Sequence, residues 1–227
     1  VAALVAILLE VNPDFTWRDI KHIMASTATK IDEDRSKNLT FNNEEISIYS
    51  WKTNAAGFNF HNWFGFGKLN VADAITFAED MVPNSLGDFI TYGLVTAEDN
   101  DPEWDLNIAD QKLSHSISLS ANEGTQGKVE WIRLRFWFDY PDMSDIGLRL
   151  TSPDGTTLNV LYPFAYKVNN PKNLTVDYDF EEYYFDVGVA GFYGENLAGE
   201  WTLEVINWES GGCPEVTDDD GNTTVQC

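Results

Sequence analysis

Cysteine is nearly missing from this chain: 227 residues hold only Cys213 and Cys227. They allow one disulfide at most. A lone nearby pair in an acidic, Trp-rich chain points to that bond and to an oxidising compartment. Basic residues are also scarce, 14 Lys and Arg against 37 Asp and Glu, for a net charge of -23. Such a chain is repelled by nucleic acid and by anionic membrane surfaces, so both are excluded as partners. No apolar run is long enough to span a bilayer, which takes about 20 residues. The opening "VAALVAILLE" is too short, and it lacks the basic flank and cleavage site of a signal peptide. There is no internal repeat and no low-complexity segment. The Asn-x-Ser/Thr triplets at Asn38, Asn173 and Asn222 are no more than chance gives in a chain rich in Asn.

What is present is the material of a folded protein. Hydrophobic residues make up 43% of the chain, with eight Trp among them. Residues 1–10 are apolar on nearly every side and predict a buried helix. Thr16 and Asp19 form a variant capping box for a second helix, with Trp17, Ile20, Ile23, Met24 and Thr27 on one face. Residues 30–58 read as polar and irregular. Asn70 caps a third helix with Val71, Ile75, Ala78 and Val82 on its inner face, and Pro83 stops it.

Beyond residue 106 the period changes from 3.6 to two. In "VEWIRLRFWF", Ile132, Leu134, Phe136 and Phe138 face one way, and Trp131, Arg133, Arg135 and Trp137 the other. Ile146, Leu148 and Leu150 alternate inward. Ser152, Pro153, Asp154 and Gly155 have the composition of a type I turn. "TLNVLY", "YYFDVGV" and "WTLEVIN" add strands. Many short strands between turns predict a jelly roll or β-sandwich.

Three histidines are candidates for acid–base chemistry. His22 reads as a solvated or partner-facing residue, His61 as structural and His115 as part of a polar strand. No Ser stands in a Gly-x-Ser-x-Gly or Gly-Thr-Ser setting, so no nucleophile is assigned. The acidic runs at 98–105, 177–182 and 218–222 read as solvated loops. In the last, an EF-hand pattern would have to open on Val216, so no metal ligand is assigned.

Several stretches resemble the kexin and proprotein convertase branch of the subtilisin-like serine proteases. "NPDFTWRDIKHIMASTA" is similar to the end of that catalytic domain. "WKTNAAGFNFHNWFGFGKLNVADA" resembles its Trp, Asn, Gly, His, aromatic-Gly-aromatic-Gly segment, here Trp51, Asn54, Gly57, His61, Phe64, Gly65, Phe66 and Gly67. The strand-rich half resembles the P domain (homo B) that follows. Its Ser-Pro-x-Gly-Thr turn includes Ser152, Pro153 and Gly155, and its Gly-Glu-x-x-x-Gly-x-Trp-x-Leu strand region carries Gly194, Glu195 and Trp201. "FDYPDMSDI" lacks a His often found there.

The resemblance implies a chain in two parts. The first is an α-helical remnant from the end of an α/β subtilisin-like catalytic domain, at residues 1–84. A linker at 85–105 and an all-β P domain at 106–227 follow. It implies a secreted, periplasmic or cell-surface serine endopeptidase acting on polypeptides, with the P domain stabilising the catalytic domain. It places the triad, and the core of that domain as this chain's partner, upstream of Val1. Calcium is implied for the full-length protein, with no ligand assigned here. The P domain is expected to lack its last strand, leaving an unpaired edge near residues 201–208. On its surface, alternating Trp and Arg are expected to pack against the catalytic part. The alternative reading is a non-catalytic β-sandwich module that binds a protein or glycan.

Overall fold

The computed structural model describes residues 1–41, 44–91, 112–119, 127–136, 146–161, 185–207, 215–217 and 223–225. The linker beyond residue 91, Trp137, Phe138, the three acidic runs and both cysteines of the expected disulfide lie outside these residues.

Three helices build the first part: α1 (Ala2–Val11), α2 (Trp17–Thr27) and α3 (Val71–Asp80). The capping box of α2 forms, with the Thr16 side chain accepting from the Asp19 amide and the Asp19 carboxylate from the Thr16 amide. Asn70 caps α3 by accepting from the Asp73 amide. Leu4, Leu8, Phe15, Ile20, Ile23, Ala74 and Ala78 form one buried cluster.

Three sequence expectations need correction here. Only Leu4 and Leu8 of α1 are buried, while Ile7, Leu9 and Val11 stay exposed. Trp17 is 62% exposed, because it opens α2 and sits beside Phe89 rather than in the core. The inner face of α3 is Ala74 and Ala78, with Val71 and Val82 outside. Small residues at that face let a helix approach its neighbours closely, and α3 contacts both α1 and α2.

Residues 30–58 are not irregular. They hold an antiparallel hairpin, β1 (Lys37–Phe41) with β2 (Glu44–Tyr49). A short pair follows, β3 (Lys52–Thr53) with β4 (Asn59–Phe60). Polar residues on the hairpin hid the alternation, yet Ile46 of β2 is buried against Ile206 of the strand-rich part.

The second part contains β5 (Lys112–Leu119), β6 (Ile132–Phe136), β7 (Ile146–Thr151), β8 (Thr157–Leu161), β9 (Phe185–Val189), β10 (Gly199–Asn207), β11 (Glu215–Thr217) and β12 (Thr223–Val225). One sheet runs β5-β10-β7-β8, and β6 with β9 and β11 with β12 form two-stranded pairs. Ile146, Leu148 and Leu150 are buried as the alternation requires. The expectation of an open groove or unpaired edge near the 201–208 strand or its neighbours does not apply to that strand itself. β10 is interior, paired antiparallel with β5 on one side and β7 on the other.

The Trp and Arg face of β6 does not pack on the helical part. Trp131 is 57% exposed and lies across the strand pair over Gly188, where a Cβ would come within 2.5 Å of the indole. Arg135 forms a two-pronged ion pair with Asp186 on the neighbouring strand, at 2.8 and 2.9 Å. Cross-strand contacts hold Trp131 and Arg135 among the described residues of this face.

Candidate functional site: the seam between the two parts

The predicted motif residues meet where the 51–67 segment runs against the loop between β9 and β10. Asn54 is the central connection. Its side chain is buried, and its Nδ2 donates to the carbonyls of Gly191 at 3.0 Å and Tyr193 at 2.9 Å. Its Oδ1 accepts from the Phe58 amide at 2.9 Å. Both amide donors and one acceptor are thus committed, which fixes the rotamer and joins backbone that is far apart in sequence. Gly57 closes the turn by donating its amide to the Asn54 carbonyl.

Glu195 provides the reciprocal connection. Its buried Oε1 accepts from the Ala55 amide at 2.9 Å and from the Thr156 hydroxyl at 2.5 Å. Its Oε2 is buried with no hydrogen-bond partner. Thr156 is held by the turn in front of it, where Ser152 Oγ accepts from the Thr156 amide. In the same turn Gly155 donates its amide to the Ser152 carbonyl. Asp154 accepts from the backbone and side chain of Asn196, and these hydrogen bonds hold its carboxyl below the usual range. Pro153 rests against Gly199, and Trp201 is buried against Phe192 with its indole donating to the Leu197 carbonyl. Pro153 and Trp201 belong to the strand-rich core, whereas Thr156 reaches across the seam, its Oγ1 accepting from the Ala55 amide at 2.9 Å.

Aromatic rings fill the space beside the polar links. Phe58 meets Tyr193 edge-on at 4.9 Å, and Phe66 lies 5.8 Å from both Phe60 and Tyr193. Gly194 has φ +82, and a Cβ there would sit 2.8 Å from the Phe58 ring. The glycine is required both for its left-handed backbone and for this close approach. Behind the seam, His61 is buried, stacked on Phe64 at 4.7 Å, with Trp51 at 5.4 Å. Its Nδ1 accepts from the Trp63 amide, its Nε2 meets the Arg35 carbonyl, and its backbone pairs with Gly65. The Trp51 indole donates to the Ile31 carbonyl. Gly67 has φ +124, and a Cβ there would lie 2.3 Å from the Thr29 carbonyl oxygen.

Two links escaped the sequence reading. Arg18 on α2 donates through Nε and Nη2 to Glu130 Oε1 at 2.8 and 2.5 Å, with Lys21 3.7 Å from Oε2. These side chains are only 14% and 13% exposed for Arg18 and Glu130. His22 is half-buried, with Nδ1 3.1 Å from the Tyr193 hydroxyl. Burial pushes the Tyr193 hydroxyl up to about 12, assisted by the negative charge of Glu130. Burial also lowers His22, with Asp19 and Glu130 pulling the other way. Asp19 is pushed up by burial, but hydrogen bonds from Thr16 and Asn84 and the charge of Arg18 outweigh this and leave it low. No local pattern marks Glu130 or Tyr193, because each acquires a role only through a residue more than a hundred positions away.

Ser26 Oγ lies 3.5 Å from His22 Nε2, but the other ring nitrogen meets Tyr193 and not a carboxylate. An activated serine needs a base oriented by a third group. His115 lies on β5 opposite Leu203.

Comparison with known proteins fits this arrangement. Residues 129–216 match the family described as the proprotein convertase P-domain. The chain is 27% identical to proprotein convertase subtilisin/kexin type 5 of Rattus norvegicus over 92% of its own length and 10% of that protein. It is 26% identical to a PC3-like endoprotease of Hydra vulgaris over 91% of its length and 26% of the relative. It thus spans from a tenth to about a quarter of these relatives. Among solved structures, the serine protease of Aeromonas sobria superposes with a TM-score of 0.67 at 22% identity. That alignment covers 92% of this chain and 36% of the protease, so the same fold runs through both parts and the seam.

Proposed function

We propose that this chain, which carries a proprotein convertase P domain at residues 129–216, is part of a secreted subtilisin-like serine endopeptidase of the kexin type. In this reading residues 1–84 are the end of the catalytic domain, 85–105 a linker and 106–227 the P domain, a jelly roll. Peptide-bond hydrolysis belongs to a Ser-His-Asp triad in the longer protein. The residues present here hold the P domain against the catalytic domain and so stabilise it.

The observation that supports this best is the seam itself. Asn54 and Glu195 each commit buried polar atoms across it, and a buried polar group left unpaired costs about 1–3 kcal/mol. A helical relic beside an independent binding module would need no such commitment. Calcium remains a proposal for the whole protein. Among the described residues no three His, Cys, Asp or Glu side chains converge on a metal position, so none is offered as a ligand.

The test has two arms. The chain of residues 1–227 is treated with a fluorophosphonate serine probe and is expected to stay unlabelled. Stoichiometric labelling would overturn the assignment of the triad elsewhere. A longer protein that includes the upstream region is expected to take the label, and to lose thermal stability when residues 106–227 are removed. Unchanged stability would refute the stabilising role.

A further inference from the structure

We infer that docking of the strand-rich part on the helical part is proton-linked, with His22 as the group that senses acid. The inference rests on the reading of the seam as a docking surface and adds a condition under which it loosens.

His22 projects from α2 into the seam. Its ring is surrounded by Phe58 at 6.0 Å, Phe77 of α3 at 5.9 Å and Tyr193 at 5.9 Å. The 3.1 Å contact of Nδ1 with the Tyr193 hydroxyl crosses from one part to the other. That hydroxyl is buried and its pKa is raised, so it stays protonated, and a neutral imidazole can accept its proton at Nδ1. An imidazolium has no lone pair to offer. Protonation at Nδ1 therefore removes the acceptor and forces the Tyr193 hydroxyl to turn in a closely packed site.

The surrounding charges do not rescue the imidazolium. From α2 the charged neighbours are Arg18, Asp19 and Lys21, and the strand-rich part contributes the carboxylate of Glu130 and the neutral hydroxyl of Tyr193. α3 contributes the uncharged Phe77. Glu130 holds Arg18 through Oε1, with Lys21 3.7 Å from Oε2, and Asp19 holds Thr16 and Asn84 through Oδ2. The other two oxygens, Glu130 Oε2 and Asp19 Oδ1, are buried without a hydrogen-bond partner and make no bond to the His22 ring. Arg18 and Lys21 are themselves cations. Burial outweighs the acids, and the His22 pKa is lowered.

The sign follows. With its folded pKa below the unfolded value of about 6.5, His22 binds protons more readily when the seam is open. Its contribution is whole above about pH 6.5 and is lost as pH falls through that value to the folded pKa.

Thermal unfolding of the full chain between pH 7.5 and 5 tests this, beside the His22→Gln variant, whose amide is uncharged throughout. The wild type is expected to lose about 3–5 °C of Tm for each unit by which the two midpoints differ. The variant should lose less over the same range. Equal slopes would overturn the proposal. The NMR titration of the His22 ring, separated from His61 and His115 by assignment, is expected to show a midpoint below that of a denatured-state peptide. A midpoint at or above it would also overturn the proposal. Hydrogen exchange at Ala55 and residues 191–195 separates the two readings, with rates corrected for the intrinsic effect of pH. Protection at pH 7.5 that falls at pH 5.5 in the wild type alone is expected. Protection independent of pH refutes proton linkage but leaves docking intact, and no protection at any pH refutes docking as well.

Discussion

Asn54→Ala isolates the polar linkage of the seam. The substitution removes the two bonds donated to Gly191 and Tyr193 and the one accepted from Phe58. Gly191 and Tyr193 are buried, so their carbonyls cannot turn to water in place. At about 1–3 kcal/mol for each buried group left unpaired, and less for the half-buried Phe58 amide, the expected loss is about 3–5 kcal/mol. For a domain of this size that lowers Tm by about 6–15 °C. Asn54→Asp sharpens the experiment. It keeps the volume and the Oδ1 acceptor, but turns a carboxylate oxygen toward two carbonyl oxygens. At pH 7 it should cost at least as much as Ala. Its folded pKa is raised, because the neutral acid can donate one proton to a carbonyl. Its penalty is therefore complete above that pKa and shrinks as pH falls toward the unfolded value of about 3.9. Urea unfolding followed by Trp fluorescence and far-ultraviolet circular dichroism measures both variants. A loss under about 1 kcal/mol for Ala, or an Asp variant as stable as wild type, would refute the reasoning.

Two further substitutions address packing and charge. Gly67→Ala should cost about 3 kcal/mol or more, since its Cβ would meet the Thr29 carbonyl oxygen on a left-handed backbone. Gly57→Ala, with open space around its Cβ, should cost only the backbone term of about 1–2 kcal/mol; equal losses in denaturant midpoint would argue against the clash. Arg18→Ala leaves Glu130 buried beside Lys21 and should cost about 3–5 kcal/mol, whereas Arg18→Met with Glu130→Leu should recover most of it. A double-mutant cycle with no coupling would show that the pair is not engaged in solution.

The fold is legible in the sequence where local chemistry decides it. Thr16 with Asp19 and Asn70 with Asp73 marked helix starts because a cap is a contact over three residues. Ile146, Leu148 and Leu150 marked a strand because the pleat alone sets their alternation. The errors came where tertiary packing overrides pattern. Ala74 was overlooked for the larger Val71 and Val82, although a helix that packs closely favours the small side chain. The hairpin of β1 and β2 carries little strand signal because most of its residues are polar, while its anchors, Ile46 against Ile206 and Tyr49 against His61 and Trp63, are tertiary contacts. At the seam, Asn54, Gly57 and Glu195 were visible as motif residues. Their partners were not, since Asn54 bonds to backbone carbonyls, and a carbonyl carries no sequence signature.

The interior position of β10 also governs the order of assembly during synthesis. β7 and β8 are joined by a short turn and can pair as soon as residue 161 is made. β5 cannot follow the same course, because its described partner is β10, with Leu119 opposite Gly199. The ribosome must add about 80 residues between the two. At about 5–20 residues per second, β5 therefore waits about 4–16 s with its backbone groups uncommitted. In that interval the nascent chain offers an open strand edge to any neighbour, and translation speed through residues 120–199 sets how long the hazard lasts.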